Sequence, residues 1–183
     1  CQTEQIIVVN PYDASFSYLA STFCQYDADP TASITGDAGG TFTSTPGGLS
    51  LNSSSGAIDV SASTPGSYTV SYTVGSGAID YSGSCNDVVN AAVTIGATPI
   101  AGAGSNGVIN CSNPTTSLSG TGGGAYSWVA SGGGNITAGA GTASPTVNAA
   151  GTYTLTVTNT DGCIDSDIAT VSADMTPPTA GSS

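Results

Sequence analysis

No lysine, arginine or histidine occurs anywhere in the 183 residues, against 12 aspartates and glutamates. A carboxylate here has no side-chain cation to pair with. It must be solvated, hydrogen-bonded to neutral donors, or bound to a metal ion. Binding a nucleic-acid backbone needs basic side chains to displace counterions, so nucleic acid is excluded as a partner. Docking on an anionic bilayer through a polybasic patch is excluded for the same reason. Catalysis loses most of its repertoire: no Ser-His-Asp or Cys-His arrangement, no imidazole ligand, no Schiff-base lysine, no arginine clamp on phosphate. A glycosidase-like carboxylate pair survives, since it needs only two acids. The acids lie scattered in turn-like stretches, and the expectation is that the chain is not an enzyme.

Long hydrophobic runs are also missing. No apolar stretch approaches the roughly 20 residues that span a bilayer, and no signal peptide is visible. The expected reading is a processed chain or an internal piece, without direct membrane insertion. The 26 glycines disfavour helices, at about 1 kcal/mol per interior helical position. Thr, Val, Ile and Tyr dominate the ordered-looking stretches, as strands prefer.

What is present is an internal repeat. Cys1, Cys85 and Cys163 are each followed eight residues later by valine: Val9, Val93 and Val171. Ile7, Ala91 and Ala169 stand two residues before those valines, which marks one buried face of a strand. Thr98-Pro99 and Thr176-Pro177 follow the second and third cysteine at the same distance, and each leads to Ala-Gly (Ala101-Gly102, Ala180-Gly181). The wording before the cysteines recurs too. Gly66-Ser67-Tyr68-Thr69-Val70 matches Gly151-Thr152-Tyr153-Thr154-Leu155, with apolar residues alternating against Ser and Thr.

The phase of the repeat sets the expected boundaries. Residues 1–10 are the last strand of a preceding repeat, 11–97 and 98–175 are complete repeats, and 176–183 open the next repeat or form a linker. In the first, strands are expected near 16–18, 32–35, 41–44, 49–52, 57–60, 67–74 and 88–95. In the second, they are expected near 108–110, 116–119, 126–129, 146–148, 152–158 and 168–173. Turn chemistry separates them, as at Asp37-Ala38-Gly39-Gly40 and Asn159-Thr160-Asp161-Gly162. Six or seven short strands in under 90 residues predict an all-β chain of tandem immunoglobulin-like β-sandwich repeats. Trp128 stands where such folds keep a core aromatic, and Tyr68 and Tyr153 where a tyrosine corner forms.

Phe16-Ser17-Tyr18, Ile34-Thr35-Gly36, Gly39-Gly40-Thr41-Phe42 and Gly56-Ala57-Ile58-Asp59 carry a family resemblance. The first repeat resembles the tandem repeats of very large Bacteroidota surface proteins. The second, with Tyr126-Ser127-Trp128, resembles the PKD-like modules of the same proteins. The resemblance implies gliding-motility adhesins of the SprB type, exported by type IX secretion to the outer surface. It brings no catalytic residues.

Five cysteines, one left over, allow 15 formal pairings. The repeat frame favours Cys24–Cys85 in the first repeat and Cys111–Cys163 in the second. Cys1 then waits for a partner upstream. The alternative for Cys1 is the acylated first residue of a lipoprotein. Such pins are expected to offset the small core of each repeat.

Asp27, Asp29 and Asp87 would be drawn together by a Cys24–Cys85 bridge, and Asp161, Asp165 and Asp167 cluster around Cys163. Calcium takes six to eight oxygen ligands and suits such groups. Neither EF-hand nor nonapeptide spacing is present. The expectation is therefore solvated turn aspartates and no cofactor, with calcium as the alternative. Asn52-Ser53-Ser54, Asn110-Cys111-Ser112 and Asn135-Ile136-Thr137 fit the N-glycosylation pattern, which chance supplies in a chain this rich in Ser and Thr.

These features predict rigid links of an extended extracellular stalk at the cell surface, attached to the outer membrane. The expected partners are adjacent repeats of the same chain. The alternative is a module that binds glycan or another surface protein through its loops. Aromatic loop residues would discriminate the two, and only Tyr12, Tyr26 and Tyr81 lie outside strand-like wording. A self-assembling filament subunit is the third possibility.

Overall fold

A computed structural model describes residues 12–75, 79–80, 83–84 and 86–176. Every regular element in it is a strand. The chain divides into two compact units between Ala97 and Thr98. The 1–10 strand and all but the first residue of the 176–183 segment lie outside the described residues.

The first unit contains β1 (Phe16–Ser17), β2 (Thr22–Cys24), β3 (Ser33–Ile34), β4 (Thr41–Thr45), β5 (Ser50–Leu51) and β6 (Ile58–Asp59). It continues with β7 (Gly66–Val74), β8 (Ile79–Asp80), β9 (Gly83–Ser84) and β10 (Asp87–Gly96). Its main sheet has the order β2-β10-β7-β4. The chain begins by pairing β1 antiparallel with β3, then crosses to lay β2 parallel to the end of β10. Pairs β1–β3 and β5–β6 face the main sheet, and a hydrogen bond from Ile58 N to Pro30 O joins them.

The second unit repeats the plan with β11 (Gly107–Asn110), β12 (Thr116–Ser117), β13 (Ala125–Ser131), β14 (Ile136–Ala138), β15 (Thr146–Val147), β16 (Gly151–Thr158) and β17 (Ile164–Asp174). Its sheets run β11-β17-β16-β13 and β12-β15-β14, and β11 is again parallel to the last strand. A first segment that starts in one sheet and finishes beside the last strand of the other is immunoglobulin-like topology. Both units are therefore immunoglobulin-like sandwiches, and Cys24 of the first and Cys163 of the second are disulfide-bonded.

The cores follow from alternation. Along β7, Tyr68, Val70, Tyr72 and Val74 are buried, and along β16 so are Tyr153, Leu155 and Val157. The intervening Ser and Thr stay on the wetter face, as a period of two requires. In the first core Phe42 stacks on Tyr72 with centroids 4.3 Å apart, and Phe16 meets Phe42 edge-on at 5.3 Å. Trp128 is the aromatic of the second core, and its indole N–H donates to Thr142 O at 3.0 Å.

Both tyrosine corners are present. Tyr68 donates its hydroxyl hydrogen bond to Thr64 O and Tyr153 to Ala149 O, each at 2.6 Å and four residues upstream. The strand that begins at each corner is thereby tied to the loop that precedes it.

Candidate functional site

The residues singled out by sequence are the aspartates and the cysteines, and sandwich polarity decides where each one falls. The chain enters the first unit near Ala14, beside Asp87 at the start of β10, and leaves it at Gly96. Cys24 pairs in register with Gly96, at the exit end. Nine steps of strand, about 30 Å at 3.3 Å per residue, separate the two ends. Asp27 lies with Cys24, its carboxylate accepting from Cys24 N at 2.7 Å, while Asp87 sits at the entry end. The expected grouping of Asp27, Asp29 and Asp87 is therefore not formed. A parallel β2 carries the early residues to the far end of the last strand.

The same geometry corrects a disulfide. Asn110 pairs with Asp174 at the exit end of the second unit, and Cys111 follows it. Cys163 precedes β17 at the entry end, buried and disulfide-bonded. A bridge needs Cα atoms within about 7 Å, and β17 alone spans roughly 30 Å. Cys111 is a free, exposed thiol, so the expected Cys111–Cys163 bridge is absent. Cys24 is disulfide-bonded, while Cys85 and Cys1 lie outside the described residues. Disulfides of this kind belong to oxidising, extracytoplasmic compartments.

The carboxylates have a use that sequence reasoning missed. In both units, aspartates near the start of the last strand hold the incoming first segment. Asp87 accepts from Ala14 N at 2.8 Å, Asp165 from Ala101 N at 2.8 Å, and Asp167 from Ala103 N at 2.8 Å. Asp165 and Asp167 stand two apart on β17, so they share one face and meet alternate amides of the same segment. Elsewhere Asp29 accepts from Val60 N, Asp37 from Asp13 N, and Asp13 from Ser15 N. Asp161 is an exposed residue of the turn before Cys163, where Asn159 Oδ1 accepts from the amides of Asp161 and Cys163. Backbone amides here take the place that cations hold in other proteins. The signal available in sequence was the spacing of 64 that Ala101–Asp165 and Ala103–Asp167 share.

Titration follows from these bonds. Donation from Ala103 N, then Ile168 N, holds Asp167 below the ordinary carboxylate value of 3.8. Asp13 is lowered by the Ser15 hydroxyl and amide, Asp59 by Ala62 N and the Ser61 side chain, and Asp174 by the Thr176 side chain and amide. Burial pushes the Tyr18 phenol up to about 12, and its hydroxyl donates to Gly56 O at 2.6 Å.

For a carboxyl lowered on folding, the unfolded chain binds more protons near pH 4, so stability is lost as pH falls through the folded value. Asp167→Asn should therefore melt below the parent protein at pH 7, with the gap closing as pH drops below about 3.8. Melts in 1 M salt check this, because a Debye length of about 3 Å removes general repulsion from the comparison. A gap that stays constant down to pH 2 would show that the Asp167 charge contributes nothing.

One open hollow of about 340 Å³ places Asp29 and Asp59 together with Ser50, Leu51, Asn52, Ala57 and Ile58. It brings two carboxylates to one surface depression. A glycosidic acid needs a raised pKa, whereas Asp59 is lowered by Ala62 N and the Ser61 hydroxyl. Asp29 is engaged by Val60 N. The lowered Asp59 is the opposite of what a glycosidic acid requires. Among the described residues, no three of His, Cys, Asp or Glu stand close enough to hold a metal ion.

No protein-family model matches the chain, and no curated protein does. Solved structures do. An I-band fragment of titin is 15% identical over 91% of this chain and 66% of its own, with a TM-score of 0.43. The N-terminal eight Ig domains of Down Syndrome Cell Adhesion Molecule are 12% identical over 87% of this chain and 24% of theirs, with a TM-score of 0.46. The insect immune protein hemolin is 14% identical over 90% of this chain and 48% of its own, with a TM-score of 0.39. The chain spans just under two thirds, a quarter and a half of these structures.

Proposed function

We propose that the two sandwiches are spacer units of an extended extracellular protein, built to bear tension along the chain. The observation that carries this reading is the parallel pairing of β11 with the end of β17, at Gly107–Asn110 against Val171–Asp174. The chain enters the unit at the Asp165 end and leaves at the Asp174 end. Tension applied through both ends pulls β11 and β17 in opposite senses along their length. The ladder bonds between them are then loaded together in shear rather than opened one after another. The first unit has the same arrangement at Thr22–Cys24 against Thr94–Gly96. Attachment to the outer membrane, a place in a gliding-motility adhesin of the SprB type and type IX export rest on the family resemblance of the repeats alone. They form the finer part of this proposal.

A glycan-binding module would gather exposed rings on one surface. Tyr12 lies at the entry end of the first unit and Tyr26 at its exit end, 36% and 51% exposed, so they share no platform. Tyr81 lies outside the described residues.

Single-molecule pulling through the termini tests the tension reading. Within β11, adjacent residues alternate in pointing their N–H toward β17, so proline at Val108 or Ile109 must delete a ladder bond. One of these substitutions should lower the unfolding force of the second unit and leave that of the first unchanged. If neither lowers it, the shear pairing does not bear the load and the reading fails.

A further inference from the structure

Cys24 and Cys111 stand at the same end of two copies of one fold, Cys111 one residue past the place that matches Cys24. Each ends or directly follows a short strand laid parallel to the end of the last strand, with Cys24 opposite Gly96 and Asn110 opposite Asp174. Each then enters a tight turn with its own cap. Asp27 accepts from Cys24 N, and Asn110 Oδ1 accepts from the amides of Ser112 and Asn113. Cys24 is disulfide-bonded, whereas Cys111 is a free thiol. The second unit has one other cysteine, Cys163, which is already bonded and lies at the opposite end of β17. Cys111 thus has no partner within reach in its own unit. Its thiol faces an open hollow of about 200 Å³ lined by Asn110, Ser112, Asp174 and Thr176.

We infer that Cys111 is a cross-linking cysteine, and that its partner is a cysteine of the Cys163 type, at the entry end of a further sandwich unit following β17 in the same polypeptide. Two observations point to that partner. Cys24, at the corresponding end of the first unit, is disulfide-bonded, and so is Cys163, the entry-end cysteine of the second. The opening of the second unit, Thr98-Pro99 with Ala101-Gly102, recurs after β17 as Thr176-Pro177 with Ala180-Gly181. The inference rests on the spacer reading above and adds a covalent connection between consecutive units. The chemistry balances as thiol–disulfide exchange. A disulfide oxidant, small-molecule or protein, first forms a mixed disulfide with one cysteine. The thiolate of the other attacks that sulfur and the oxidant's second sulfur leaves as a thiol. Two protein thiols lose two protons and two electrons, and the oxidant's disulfide becomes two thiols.

The test uses the parent polypeptide as its own cell exports it. Free thiols are alkylated at once under non-reducing conditions, and the protein is digested with pepsin, since trypsin has no site in these residues. The peptide holding Cys111 should be recovered joined to a cysteine peptide from beyond residue 183, one that precedes a long alternating strand. Cys111→Ser should then expose one new alkylatable thiol, at that partner. An alkylated Cys111, or Cys111 joined to Cys111 of a second copy, overturns the inference. If it fails while sandwich units do follow β17, the spacer reading stands. If the parent sequence holds no such unit, both fall.

Discussion

Tyr72→Ala should strongly destabilise the first sandwich while leaving the stability of the second unchanged. Tyr72 is fully buried, stacks on Phe42, and lies 5.9 Å from Phe16 in edge contact. Its hydroxyl donates to Asp37 O and accepts from Gly40 N, both at 2.9 Å, which closes the turn into β4. Truncating a buried aromatic of this size costs about 3–5 kcal/mol. A small domain has roughly 5–15 kcal/mol in all, and each kilocalorie shifts a melt by about 4–8 °C. The first unit should therefore melt at least about 12 °C lower. Calorimetry should show the two transitions separate, with that of the second unit unmoved. Tyr72→Phe keeps the ring and loses only the hydroxyl bridge, so it should fall between the two. A single transition shifted as a whole would show that the two cores do not melt independently.

The second large effect is expected from one added methyl group. Gly40 and Gly124 precede β4 and β13, in corresponding places of the two units, where the strand passes close under the backbone of the penultimate strand. A Cβ on Gly40 would stand 2.4 Å from Thr73 O and 2.7 Å from the Tyr72 ring. One on Gly124 would stand 2.3 Å from Thr158 O. Neither glycine has a positive φ, so space rather than backbone conformation makes glycine necessary. The obstruction is main chain held in a ladder and cannot swing aside. Gly40→Ala and Gly124→Ala should each cost their own unit about 1–3 kcal/mol or more. Gly47→Ala, whose Cβ meets nothing within 4 Å, should be near neutral. Chemical denaturation of the three variants checks the order. Equal effects at Gly47 and Gly124 would dismiss the close approach as unimportant.

What sequence could show is instructive in its unevenness. The long strands β7, β10, β16 and β17 were legible because alternation over eight or more residues is hard to produce otherwise. The two corner tyrosines were legible because their neighbours recur, and Trp128 because it stands where such folds keep a core aromatic. β2 and β14 were not expected: three residues such as Thr22-Phe23-Cys24 contain too little pattern to separate from loop. Missing β2 had consequences, since β2 determines which end of the sandwich receives Cys24. Spacing along the chain gave the equivalence of the cysteines but not their polarity, and a parallel first strand reverses the end that a simple hairpin reading assigns. The clamp aspartates were counted as calcium candidates because a carboxylate without a cation suggests a metal. Their partners are amides of Ala14, Ala101 and Ala103, residues whose side chains advertise nothing.

Those clamps also fix how the protein meets its solvent. In most folds, dissolved salt both weakens attractive ion pairs and relieves repulsive ones, and the balance varies from case to case. Here no attractive pair between side chains can exist, because one sign of charge is missing. The carboxylates that matter are engaged at hydrogen-bond distance by the main chain. All that remains for salt to screen is repulsion among negative charges. Each added increment of ionic strength therefore works in the folded state's favour, and brine is a friendlier medium for this chain than fresh water.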